Sequence, residues 1–182
     1  MRGALAITAA VVFLARAAHA DPLPPGSIGA FFGAGSGTGA DAKRLGYGYL
    51  LGAHAAWQPM DTSQRINWAA RWSVTFGTMM GAGAARINSD LLILKMDLMP
   101  GVRIRPGETP SRYVTLRAGG MVMRTDQIIP NKMTRSFFGP IASIGLDQYL
   151  GGFLLSVDLR YSMIGLGPSE LGLVIGLAKT GP

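Results

Sequence analysis

The sequence predicts an all-β protein, an eight-stranded antiparallel up-and-down barrel of the transmembrane kind. Three observations predict it. Eight segments carry apolar residues at every second position, which in an extended chain places them on one side. The opposite side of those segments is mostly Gly, Ala and Ser with sparse charge, whereas the solvent face of a soluble sheet is dense in Lys, Glu, Thr and Ser. Hydrophobic residues make up 48% of the chain and charged ones 15%, below the roughly 25% charged content of ordinary soluble domains. The 182 residues suffice for one domain.

Residues 1–20 read as a secretory leader: Arg2 gives the positive start, Ala4 to Leu14 the apolar stretch, and Ala18-His19-Ala20 a small-x-small site, with cleavage expected before Asp21. That stretch is too short for the roughly 20 residues of a spanning helix. Residues 21–26 (DPLPPG) form a Pro-rich periplasmic lead, and 27–182 the barrel domain. No later segment approaches 18 consecutive apolar residues, which excludes a bundle of membrane helices. The chain has no cysteine, so disulfides, thiolate metal sites and a lipid-modified cysteine are all excluded. Without Arg2 and Arg16, which leave with the leader, basic side chains still outnumber the 10 acidic ones by five. These charges are scattered singly, with no basic run and no recognition motif, so no nucleic-acid partner is expected. Anionic lipid headgroups and lipopolysaccharide are the counter-charges an exported protein meets.

The strands follow in order. The first, Ser27 to Gly35, is Gly/Ala-rich but aligns Ile28, Ala30, Phe32 and Ala34. In the second, Leu45, Tyr47, Tyr49, Leu51, Ala53, Ala55 and Trp57 oppose a face carrying Gly48, Gly52 and His54. The third sets Ile66, Trp68, Ala70, Trp72, Val74 and Phe76 against Asn67, Arg71, Ser73 and Thr75. The fourth sets Leu92, Leu94, Met96, Leu98, Val102 and Ile104 against Lys95, Asp97, Met99, Gly101 and Arg103, with Pro100 expected to mark a bulge. The fifth sets Val114, Leu116, Ala118 and Val122 against Thr115, Arg117, Gly119 and Met121. The sixth sets Phe138, Pro140, Ala142, Ile144 and Leu146 against Gly139, Ile141, Ser143, Gly145 and Asp147. The seventh sets Phe153, Leu155, Val157, Leu159 and Tyr161 against Leu154, Ser156, Asp158, Arg160 and Ser162. The last sets Leu171, Leu173, Ile175 and Leu177 against Gly172, Val174, Gly176 and Ala178. Each is close to the roughly 9–11 residues that cross a bilayer when tilted.

Connections add a second signal. Gly35 to Arg44, Met80 to Asp90 and Thr125 to Arg135 are long, and the turn around Tyr149 to Gly152 is tight. Long loops alternating with short turns are what an even-stranded barrel with both termini in the periplasm produces. With the first strand running outward, Trp57, Trp68 and Phe153 fall at the periplasmic interface, and Tyr47, Tyr49, Phe138 and Tyr161 at the outer one, forming two girdles of membrane-interface aromatics. On this pattern the chain resembles the small outer-membrane β-barrels typified by the OmpA transmembrane domain and OmpX. The segment Glu170-Leu171-Gly172-Leu173-Val174-Ile175-Gly176-Leu177 looks like the signal read by the barrel-assembly machinery, although its apolar positions are aliphatic rather than aromatic. The resemblance implies outer-membrane lipid and lipopolysaccharide as surroundings and that machinery as a partner during insertion.

Parity alone turns nine polar side chains inward: His54, Arg71, Lys95, Asp97, Arg103, Arg117, Asp147, Asp158 and Arg160. Eight strands leave an interior only just wide enough for side chains, and buried charges persist when paired. The expectation is an ion-pair network filling the lumen, with Asp97 and Asp158 set against Arg71, Arg117 and Arg160. A narrow anion-leaning channel is the alternative, because five bases outnumber three acids in this set. A soluble periplasmic barrel binding an apolar ligand is a third reading. His54 is the one histidine after the leader and lacks a neighbouring His-x-Ser pattern, so no lipid-modifying catalysis is expected. With no second His and with dispersed carboxylates, neither a metal site nor a cofactor is expected. The outer loops carry a mostly basic set: Asp41, Lys43, Arg44, Arg86, Arg124, Asp126, Lys132 and Arg135.

Overall fold

A computed structural model describes residues 26–38, 46–57, 64–80, 90–108, 111–127, 133–163 and 169–181. The leader, residues 21–25 of the lead, and Asp41, Lys43, Arg44, Arg86 and Lys132 of the outer loops lie outside the described residues. Eight strands form: β1 (Gly26–Thr38), β2 (Tyr47–Trp57), β3 (Ile66–Met80), β4 (Asp90–Ile104), β5 (Arg112–Gln127), β6 (Met133–Leu150), β7 (Phe153–Met163) and β8 (Ser169–Thr180). Each pairs antiparallel with its chain neighbours, and β1 pairs with β8 to close the barrel.

The alternation in the sequence becomes the wall of the barrel. Outward positions carry the large apolar side chains, from Ile28 and Phe32 on β1 round to Leu173 and Leu177 on β8, all exposed. Inward positions carry most of the polar side chains, and these are buried. An apolar exterior running round the whole circumference is far larger than the patches a soluble monomer leaves to water, and lipid is the medium that covers it. This inverts a soluble barrel and removes the reading of an apolar ligand held inside.

Following the paired positions sideways from Ala69 passes Gly101, Arg117, Ser143, Arg160, Gly172, Gly35 and Gly48 and returns to β3 at Met79, ten residues from the start. A stagger of this kind tilts the strands by about 40° to the axis. The same path sets each arginine beside a small residue, which is how large guanidinium groups fit a narrow interior.

Two details differ from the sequence expectation. Pro100 marks no bulge: Leu98 pairs with Gly120 and Gly101 with Arg117 in one unshifted register, so no residue is inserted. The β4–β5 ladder simply loses the rungs at Met99 and Pro100, since proline has no N–H to give. The strands also run further than the apolar pattern: β1 begins at Gly26 and continues to Thr38, β5 reaches Gln127, and β6 begins at Met133. Among the described residues β6 pairs with β7 only from Ile141 onward, directly after Pro140. The turn between β6 and β7 is two residues, Gly151 and Gly152, with φ of 43° and 78°. Positive φ at both positions is the type I′ geometry that matches the twist of a hairpin.

Candidate functional site

The interior is a stack of three zones. Toward the end where β5 finishes and β6 begins, Ile93, Met99, Met121, Met123 and Ile141 form an apolar cluster with Phe137 packed on it. Phe31, Leu50 and Val174 make a second cluster on the opposite wall. Near the opposite end, which holds the β6–β7 turn, Tyr113, Tyr149, Leu154 and Ala178 form the third. The charged groups lie between and beside these clusters.

Arg71 on β3, 1% exposed, pairs with Asp158 on β7 and donates to Ser156 Oγ at 3.2 Å. These strands are four apart in a ring of eight, so the pair crosses the full lumen. Asp158 also accepts from Arg117 Nη1 at 2.9 Å, and Arg117 Nη2 donates to Asp147 at 3.1 Å. Arg103 lies 3.8 Å from Asp147, with its guanidinium 4.0 Å from the ring centre of Tyr113 and 5.1 Å from that of Tyr149. Lys95 on β4 donates to Glu170 on β8 at 2.6 Å, a second bridge between opposite walls. Asp97 accepts from Ser73 Oγ at 2.7 Å rather than directly from a guanidinium. Arg160 reaches Ser73 Oγ at 3.4 Å and lies 4.5 Å above the Phe31 ring. His54, 2% exposed, stacks on Phe31 with ring centres 6.0 Å apart, and neither ring nitrogen has a hydrogen-bond partner among the described residues.

Two glycines make room for this. A methyl group on Gly145 would overlap Asp158 Oδ1, and one on Gly176 would come within 2.8 Å of Ser156 Oγ and 3.2 Å of the His54 ring. Among the described residues, an enclosed internal space beside Lys95, Asp97 and Arg160 measures about 10 Å³, at most the room of one water. No described group of His, Cys, Asp and Glu has metal-binding geometry.

All nine inward polar residues read from the sequence are buried, and eight of them, all but His54, fall into three bonded groups: Arg71, Arg103, Arg117, Asp147 and Asp158 in one, Lys95 with Glu170 in a second, and Asp97 and Arg160 around Ser73 in a third. Sequence reading missed Glu170, Tyr113, Tyr149 and Phe31. Glu170 shares the parity of Gly172 and Val174, so extending the last strand by one residue would have found it. Among the described buried residues, its inclusion brings the balance to five cations and four carboxylates.

Of the aromatics expected at the interfaces, Trp57 and Trp68 sit at the end that holds the β6–β7 turn, with ring centres 4.0 Å apart, and Phe153 directly follows that turn. Tyr47, Tyr49, Phe138 and Tyr161 are exposed toward the opposite end.

Solved structures resolve what such an outward-apolar, filled barrel is similar to. Neisserial surface protein A superposes with a TM-score of 0.66 at 12% identity, over 88% of this chain and all of that one. This chain has the fold of the small eight-stranded outer-membrane barrels. The attachment invasion locus protein Ail of Yersinia pestis, solved with the heparin analogue sucrose octasulfate, gives a TM-score of 0.56 at 13% identity over 85% of this chain and 96% of that one. The N-terminal barrel domain of Pseudomonas aeruginosa OprF gives 0.51 at 13% identity, over 86% and 98%. No family model matches the sequence, and no curated protein sequence does. At these identities the barrel fold is what the neighbours share with this chain.

Proposed function

We propose that this chain is an outer-membrane protein with a structural or surface-interaction role, exported by a cleaved leader, inserted by the barrel-assembly machinery and closed to ions by its own interior. The observation that carries the reading is the pair of cross-lumen bridges, Arg71–Asp158 and Lys95–Glu170, set between apolar clusters. Each bridge ties opposite walls, and removing Asp158, Lys95 or Glu170 would leave an uncompensated buried charge costing about 3–5 kcal/mol, so the plug resists opening. With the interior committed to packing, contact with other molecules falls to the loops and the lipid face. The mostly basic outer loops suit lipopolysaccharide phosphates or a polyanionic surface partner, and the sulfated ligand of Ail is an example of such chemistry on a similar barrel. A non-enzymatic role is supported by His54, which stands across the ladder from Ser73 yet stacks on Phe31 with neither ring nitrogen hydrogen-bonded among the described residues. Reconstitution in planar bilayers tests the closed lumen: the wild type is expected to be silent across salts and voltages. Steady anion-selective steps would establish the narrow channel instead.

A further inference from the structure

The lipid-facing wall is uneven. On the outward side of β8, β1 and β2 the bulky band gives way to Ala30 and Ala55, and a groove opens there. Its upper part, about 560 Å³, runs from Phe32 and Leu51 across Ala30 to Leu177, Leu155 and Phe153. Its lower part, about 660 Å³, is lined by Ile28, Ala55, Trp57 and Lys179. The two adjoin, because Ala30 pairs with Leu177 and Ile28 with Lys179 in neighbouring outward positions of the β1–β8 ladder. One end of the groove lies at mid-membrane depth. The other reaches the periplasmic rim, where an exposed cation, Lys179, stands beside an interfacial indole.

We propose that this groove is a site for an anionic glycerophospholipid of the periplasmic leaflet, one acyl chain lying along Ala30 and the phosphate meeting Lys179. The proposal rests on the outer-membrane reading above. Charge selects the occupant: the groove is apolar along its length and, among the described residues that line it, Lys179 is the cation at its mouth, so a phosphodiester with no compensating ammonium complements it better than a zwitterionic headgroup. An acyl chain fits the depression that the alanines leave, where a flat wall would give lipid no preferred seat. Trp57 brackets the headgroup level, as indoles do at membrane interfaces.

The test is native mass spectrometry of the folded barrel released from detergent containing equal phosphatidylglycerol and phosphatidylethanolamine, with heat-modifiable gel migration as the check that the barrel has formed. The wild type is expected to retain phosphatidylglycerol about fivefold over phosphatidylethanolamine, the effect of one cation near an anionic group. Lys179→Gln should bring that ratio to one, and Lys179→Arg should keep it. Ala30→Leu or Ala55→Leu, which fill the groove from the lipid side, should reduce retention of both lipids. A folded wild type with no preference, a preference unchanged in Lys179→Gln, or a paired barrel that excludes lipid from this face overturns the site and leaves the outer-membrane reading intact. A chain that shows no heat-modifiable form and partitions to the aqueous phase overturns that reading itself.

Discussion

Asp158 is the residue on which most of the interior converges, since it receives both Arg71 and Arg117. Asp158→Asn keeps the shape and removes the charge, leaving two guanidinium groups facing each other in a low-dielectric interior. The expected loss is about 3–5 kcal/mol, read as a lowered urea midpoint in lipid vesicles. Gly145→Ala should act in the same direction with no change of charge, because its methyl displaces the same carboxylate. Arg160→Met should cost clearly less than either, since Arg160 has a ring and a hydroxyl for neighbours and no carboxylate in direct contact among the described residues. Equal losses for Arg160→Met and Asp158→Asn would contradict the assignment of partners. At this scale the sequence was informative about orientation and less so about pairing: Asp158 does meet Arg71 and Arg117, whereas Asp97, set against the same bases, meets Ser73 instead. Parity placed Arg71 and Asp158 inside, but which carboxylate meets which base depends on stagger around the ring, and Asp97 meets Ser73 because β3 and β4 set those residues opposite each other.

Among the elements, the apolar band was legible wherever one face meets lipid, as in β2, β3 and β7, where every outward position is apolar, in β3 as far as Phe76. It became illegible where the strands rise past the band. Gly35 to Thr38 and Met133 to Phe137 carry no apolar alternation, because neither face there requires it, yet their backbones continue the ladder of their neighbours. Backbone pairing, unlike side-chain burial, leaves no periodic mark in a sequence. The β6–β7 turn was visible because its demand is chemical. Gly152 has open space around its Cα, so its φ of 78° is what requires glycine. Gly152→Ala should therefore destabilise by about 1–2 kcal/mol and slow formation of the hairpin, measured by folding into vesicles. An unaffected midpoint would show that the turn tolerates another geometry.

For the whole molecule, the inverted polarity makes position relative to the bilayer the determinant of tolerance. Leu98, midway along β4 on the outward face, should not accept arginine: Leu98→Arg is expected to cost about 2–4 kcal/mol, whereas Phe138→Arg near the outer rim should cost about 0–1 kcal/mol. Comparable costs at the two sites would mean that the band is misplaced. The absence of cysteine from the chain allows the central claim to be read directly by placing single spin-labelled cysteines along residues 92–99 of the folded protein in outer-membrane vesicles. Leu98 is 56% exposed and its neighbour Met99 is 0% exposed, and the same contrast repeats along β4. The account predicts a period-two profile: labels at Leu92, Leu94, Met96 and Leu98 collide with dissolved oxygen and not with a water-soluble nickel chelate, and labels at Ile93, Lys95, Asp97 and Met99 collide with neither. Chelate collisions at the outward positions would indicate a soluble barrel, and chelate collisions at the inward ones an open aqueous lumen; either result would contradict it.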